Sequence, residues 1–216
     1  FSGENIDYFL SRLQSFDKIT IREKSLADYI NHKLSITSEV VFDPVLLAGP
    51  IVLHKLLSAK EVTKQSQKKP YLLLFQLIRA FDNLACAANI AKFKGLKLIE
   101  IVTMCETIIH CTVKQTLSVE QLLSYFINAD YILTSSFHGT VLSVLFNKSF
   151  NTISVNDNIN ERVLSLLEDL NLSERMLNLG NEMKSSNQID YTIVNNMYER
   201  KRYESLNILK KSLSCH

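Results

Sequence analysis

The feature that most constrains this chain is the run Tyr71-Leu72-Leu73-Leu74-Phe75, directly after Pro70. An uninterrupted apolar run bounded by proline reads as a strand buried on both faces. Strands of that kind belong to parallel sheets covered by helices. The residues downstream repeat the theme. Asp82 is expected to cap a helix running to about Lys94, with Gly95 at its C′ position. Leu96–Val102 reads as the next strand. Ser118 and Gln121 form a capping box ahead of a helix holding Leu122, Leu123, Phe126 and Ile127. Asp130–Thr134 is a strand, Gly139–Phe146 a helix and Phe150–Val155 a strand. Val163, Leu166, Leu167 and Leu170 mark one more helix, and a last one spans about Asp190–Leu213. Residues 70–213 therefore read β-α-β-α-β-α-β-α-α, the order of a parallel α/β sheet.

The N-terminal part is shorter but of the same kind. Ile6, Phe9, Leu10 and Leu13 have helical spacing between about Asn5 and Ser15. Lys18–Arg22 reads as a strand, Ser25–Ile30 as a helix, and Glu39–Phe42 as a strand stopped by Asp43-Pro44. Residues 58–69, with Lys60, Lys64, Lys68 and Lys69, read as a solvated linker.

Composition narrows the function classes. With 24 Lys+Arg against 22 Asp+Glu the net charge is only +2, which argues against a dedicated nucleic-acid binder. No apolar run approaches the ~18 residues of a membrane span. The 4 Cys contain no C-x-x-C pair, so neither a zinc site nor a disulfide framework is indicated, and a reduced compartment fits. His110 between Cys105 and Cys111 matches no metal spacing, so no metal is expected. His32 and His54 have no companions. Gly 5 and Pro 3 are too few for an all-β sandwich. No signal peptide is evident.

Open α/β sheets bind ligands beyond the carboxyl ends of their strands. One strand-to-helix junction there is chemically loaded: Thr134-Ser135-Ser136-Phe137-His138-Gly139-Thr140. A helix N-terminus attracts anions, Ser135, Ser136 and Thr140 offer hydroxyls, Gly139 permits close approach, and His138 offers an imidazole, the side-chain type suited to acid/base work. The same letters also fit a plain polar turn whose serines only cap the helix. Arg22, at another strand end, is a candidate clamp for a carboxylate or phosphate, or one half of an exposed ion pair with Glu23 or Asp28. Arg162 opens a later helix and is a further candidate. Arg200, Lys201, Arg202, Lys210 and Lys211 give the last helix a basic, solvated face.

Several segments, in order, resemble the polysaccharide pyruvyl transferase family over nearly the whole chain. Phe16-Asp17-Lys18-Ile19-Thr20-Ile21-Arg22-Glu23-Lys24-Ser25 is similar to its "F-D-x-I-S-V-R-E-x-S" segment, and Asp43-Pro44-Val45-Leu46-Leu47 to its "D-P-x-x-L-L". Ala129-Asp130-Tyr131-Ile132-Leu133-Thr134-Ser135-Ser136-Phe137-His138-Gly139 is similar to its "A-D-x-V-x-T-x-S-F-H-G". Phe146–Phe150 and Arg162 with Leu166-Leu167 occur after these in the family's order. Two positions depart: some members carry Arg where Ser136 stands, and Pro is common where Ser149 stands.

The resemblance implies Rossmann-like parallel sheets in a GT-B-like architecture, with the first domain truncated here. Residues 1–57 would be its remnant, 58–69 a linker, 70–187 the second Rossmann-like domain, and 188–216 a helix packing back on the domains. It implies transfer of a pyruvyl group from phosphoenolpyruvate to a sugar hydroxyl pair, forming a ketal in cell-surface polysaccharide biosynthesis. Phosphoenolpyruvate would be a donor substrate, with no cofactor. The acceptor would be a glycan or lipid-linked sugar, met in the cytoplasm or at the inner face of the membrane. His138 would be the acid/base group or a phosphate ligand. Ser135, Ser136, Phe137, Gly139 and Thr140 would form the anion cradle, Arg22 would reach across a cleft to the donor's carboxylate or phosphate, and Arg162 would be a second-line contact. Two other readings use the same architecture: a nucleotide-sugar glycosyltransferase, favoured by Ser136, and an inactive binding module.

Overall fold

The computed structural model of the chain describes residues 8, 11–34, 36–57, 69–104, 113–114, 117–155, 158–180 and 188–214. All but Lys69 of the expected linker, residues 5–7, 9 and 10 of the expected first helix, and Cys105, His110 and Cys111 lie outside the described residues; of that helix, residues 8 and 11–13 are helical. The chain divides into two compact units, residues 1–47 with 195–216, and residues 48–194.

In the first unit, β1 (Ile19–Ile21) and β2 (Ser38–Val40) pair in parallel, Ile19 opposite Ser38, on either side of α1 (Lys24–Leu34). Ile21, Ala27 and Ile30 form its small core, with Leu13 and Ile19 against it. The helical spacing from Ala27 to Ile30 is what turns these side chains to the strands. Asn31 ties α1 to β2, its Oδ1 accepting from Ser38 N at 2.7 Å and Ser38 Oγ at 2.9 Å. The second strand is shorter than expected, because Asp43 already starts a helix. Its Oδ1 accepts from Val45 N at 2.9 Å and its carbonyl from Leu47 N. That helix, α2 (Pro44–Lys55), was not anticipated. Pro44 suits a first helical position, but Gly49 (φ 75°) and Pro50 kink it and break the apolar period. The far part of the C-terminal helix belongs to this unit. Tyr198 Oη donates to Leu46 O at 2.6 Å, Arg202 Nε to Leu47 O at 2.9 Å, and Ser205 Oγ accepts from Phe42 N at 3.0 Å.

The second unit holds a six-stranded parallel sheet. Its strands are β3 (Tyr71–Ile78), β4 (Lys97–Met104), β5 (Val113–Lys114), β6 (Tyr131–Thr134), β7 (Phe150–Ile153) and β8 (Met176–Leu177), in spatial order β5-β4-β3-β6-β7-β8. The helices are α3 (Phe81–Lys94), α4 (Val119–Ile127), α5 (Phe137–Leu145) and α6 (Asn158–Asp169), with a 3₁₀ turn at Ser173–Arg175 and the first residues of α7 (Tyr191–Leu213). The chain winds from β3 out to β5, then restarts at β6 on the other side of β3. This is the doubly wound, Rossmann-like order, and its switch point lies between β3 and β6.

The buried run of β3 explains the sheet's centre. Leu72, Leu73 and Leu74 have no exposed surface, since helices cover both faces. Burying each such side chain contributes about 1.5–3 kcal/mol. On one face Leu72, Leu74 and Leu133 pack under Ala87, Ile90 and Ala91 of α3. On the other, the Phe75 ring meets Phe126 of α4 edge-on at 5.3 Å.

Local chemistry behaves mostly as the letters suggest. Ser118 and Gln121 make both halves of the capping box. Gly95 takes the left-handed conformation after α3 (φ 67°) and ends it. Two helix starts at the sheet edge differ. Asp82 sits in the first turn of α3, whose N-cap is Ala80. The helix expected to start at Gly139 starts at Phe137, with Ser136 as N-cap. The two-residue strands β5 and β8 are too short to carry a periodic signal.

Candidate functional site: the β6–α5 turn at the switch point

β3 and β6 are in register, Phe75 opposite Thr134. Their carboxyl ends therefore meet where the sheet reverses its winding. The turn after β6 is built on Thr134. Its hydroxyl donates to Phe75 O at 2.8 Å and accepts from Ser136 N at 3.1 Å, while Ser135 N donates to Phe75 O at 3.4 Å. A β-branched hydroxyl residue suits this double task, because one stiff rotamer serves both bonds.

The expected residues divide by what holds them. Thr140 faces inward: its Oγ1 shares a hydrogen bond with Thr152 Oγ1 at 2.7 Å and reaches Ser136 O at 3.2 Å. Gly139 is needed by packing. A Cβ there would lie 2.1 Å from Thr134 Oγ1 and 2.9 Å from the Phe75 ring. α5 thus lies directly on Thr134 of β6 and Phe75 of β3.

Ser136 is the anomaly. It is fully buried, and its Oγ has no hydrogen-bond partner among the described residues. It is the N-cap of α5 yet makes no side-chain cap bond. A buried unpaired hydroxyl costs on the order of 1–3 kcal/mol, so a native fold keeps few of them.

An imidazole and a guanidinium pack on Phe137, the residue that follows it. His138, in the first turn of α5, is exposed, its ring edge-on to Phe137 at 5.5 Å. The Arg162 guanidinium lies over the Phe137 ring, 4.4 Å from its centroid. Such a contact is worth about 0.5–2 kcal/mol and fixes where the cation sits. Arg162 reaches it from α6, whose entry is set by Asn160. That side chain accepts from Val155 N at 2.9 Å and donates to Ser154 Oγ at 3.1 Å. The second unit thus brings Ser135, Ser136, Phe137, His138 and Arg162 together.

Arg22 belongs to the first unit. It donates to the buried carboxylate of Asp43 at 2.6 Å and also pairs with Glu23 at 3.5 Å. Asp28, the other candidate partner, is not the one used. Asp43 thereby caps α2 and holds Arg22 at once, leaving the guanidinium substantially exposed at the end of β1.

Sequence reasoning passed over a polar cluster on the turn after β3. Glu100 accepts from Gln76 Nε2 at 2.9 Å, Arg79 Nε at 3.1 Å and Arg79 Nη2 at 2.9 Å. Gln76 Oε1 accepts from Asn83 Nδ2 at 2.9 Å and Ala80 N at 3.3 Å. The available signal was a charged residue inside an otherwise apolar strand, Leu98-Ile99-Glu100-Ile101. Cys86, on α3, is half-buried, and burial pushes its thiol up, away from the thiolate a nucleophile needs. Among the described residues no three His, Cys, Asp or Glu side chains gather as a metal site, and no helix is long and apolar enough to cross a membrane.

Compared with models of known families, residues 1–158 match the one described as polysaccharide pyruvyl transferase. The match takes in Arg22 and the whole Ser135–Thr140 turn, whereas Arg162 lies beyond it. No curated protein matches the chain.

Proposed function

The chain belongs to the polysaccharide pyruvyl transferase family, and from that premise we propose that it moves the pyruvyl group of phosphoenolpyruvate onto two hydroxyls of a sugar, as a ketal. The acceptor is a glycan or lipid-linked sugar of a cell-surface polysaccharide, met in the cytoplasm or at the inner membrane face. The observation that carries the reading is the buried, unpartnered Ser136 hydroxyl at the N-terminus of α5, with His138 and Arg162 beside it.

Phosphoenolpyruvate brings a carboxylate, a phosphate and an enol. Its methylene carbon takes a proton, the adjacent carbon becomes cationic, one sugar hydroxyl adds there, and phosphate leaves as the second adds. Of the two hydroxyl protons released, the balance returns one to the methylene carbon and one to the departing phosphate, so the products are the ketal and inorganic phosphate. The α5 N-terminus and Ser136 suit an anionic group of the donor, and the Arg162 guanidinium suits its charge. An exposed imidazole suits the acid/base task near neutral pH. Arg22 is proposed as a second anion contact, placed by Asp43.

Calorimetric titration of phosphoenolpyruvate into the chain, beside His138→Ala, Ser136→Ala and Arg22→Ala, tests the donor. Saturable binding weakened in Ser136→Ala and Arg22→Ala is expected, with phosphate release on adding acceptor lost in His138→Ala. Binding of a nucleotide sugar with no response to phosphoenolpyruvate would replace this reading with a glycosyltransferase.

A further inference from the structure

The polar cluster behind β3 is too costly to be there for stability alone. Glu100, Gln76 and Asn83 are each at most 2% exposed, and the Arg79 side chain is only 10% exposed. A well-packed apolar set in the same space is often as stable as a buried ion pair, or more so. What the polar set supplies is direction. Glu100 takes three donors and Gln76 Oε1 takes two, so β4, the end of β3 and the first turn of α3 are held in one geometry.

That geometry reaches the candidate site through a single peptide. The Phe75 carbonyl, which accepts from Thr134 Oγ1 and Ser135 N, belongs to the peptide unit whose nitrogen is that of Gln76. The Gln76 side chain is clamped on both its amide atoms. Rotation of this peptide would move the acceptor on which Thr134 and Ser135 hang. Thr134 Oγ1 in turn holds Ser136 N. The Phe75 ring also lies against the Cα of Gly139, so the same residue supports α5 from below.

We propose that Gln76, with Glu100, Asn83 and Arg79, is the positioning device for the anion-binding turn after β6. It sets the direction of the Ser135 and Ser136 N–H groups without touching substrate. The assignment of a ligand to that turn rests on the function proposed above; the mechanical link does not.

The test separates the two. Amide hydrogen exchange is measured on the ligand-free full chain for wild type, Gln76→Met, which keeps length and removes both polar atoms, and Asn83→Ala, the milder variant should the first not fold. Exchange at Ser135 and Ser136 is expected to rise at least tenfold in either variant, with residues 163–172 unchanged. Unaltered exchange at Ser135 and Ser136 in a folded variant would overturn the proposal, as would a uniform rise over the whole unit, which marks plain destabilisation. A double-mutant cycle of Gln76→Met with Ser136→Ala on phosphoenolpyruvate affinity is the second readout. Effects falling short of their product by fivefold or more are expected, since residues acting through one contact chain do not add. Independent effects would also overturn the link. A chain that binds no phosphoenolpyruvate but shows the exchange change would fail the donor assignment alone.

Discussion

The two strand-to-helix turns at the switch point solve opposite problems with similar parts. After β3, the buried polar side chains are bonded to one another: Gln76, Asn83 and Glu100 form one cluster, and Arg79, bonded to Glu100, also packs 5.4 Å from the Phe81 ring. After β6, the buried Ser136 hydroxyl has no partner among the described residues, and His138, two residues on, is exposed. Neither helix is capped by its N-cap side chain, α3 starting from Ala80 and α5 from Ser136. The difference teaches where a fold keeps its unsatisfied polarity. A turn whose groups are all satisfied is a support. A turn that retains an orphaned hydroxyl at a helix N-terminus carries a polar group that the fold itself leaves unsatisfied, and that is the group the proposed function uses.

The comparison breaks most sharply if the support is cut. Glu100→Ala removes the carboxylate that takes two N–H groups of Arg79, and the unfolding free energy should fall by about 3–5 kcal/mol, as for other broken buried pairs. Urea unfolding measures it; a loss under 1 kcal/mol would make the β3 turn no stiffer than the β6 turn. His138→Ala sharpens the contrast from the other side. Turnover should drop about 10²–10⁴-fold, with the thermal midpoint within 2 °C of wild type, since an exposed side chain carries little packing. Gly139→Ala forces a methyl onto Thr134 and Phe75, and overpacking of this sort costs about 1–3 kcal/mol. If denaturation shows no loss, α5 does not rest on the strand ends as closely as described. Ser136→Ala should do something rarer, raising stability by up to about 1 kcal/mol through loss of an unpaired buried hydroxyl, while weakening donor affinity. Stability that falls instead would mean the hydroxyl is satisfied in solution, and the two turns would be alike.

Much of this was legible in the letters, for reasons tied to particular residues. The five apolar residues from Tyr71 could only be a strand covered on both sides. Ser118 with Gln121, and Gly95 after Lys94, are local signals that need no partner elsewhere, and both hold. The Ser135–Thr140 turn stood out because hydroxyls, glycine and histidine crowd one strand end. Where reading failed, the deciding contact was distant in sequence. Asp43 looked like a stop and is the cap of α2 and the partner of Arg22. Asp82 looked like a cap, but the turn before it is held by Gln76, which bonds Ala80 N. Gly139 is a different case: read as room for a ligand, it is in any event required by packing, since Thr134 and Phe75 take the space a side chain would need.

By itself, then, the sequence determined the α/β class, the order of the central elements and the family, because periodicity, caps and short ordered motifs are encoded within a few residues of one another. Only the tertiary structure decided that β3 and β6 flank the switch point, that Ser136 is buried without a partner while Thr140 is bonded to Thr152, and that Glu100 lies under Gln76 and Arg79. Those facts come from pairing across dozens of residues. There a side chain's role is set by which strand becomes its neighbour, and no local pattern carries that information.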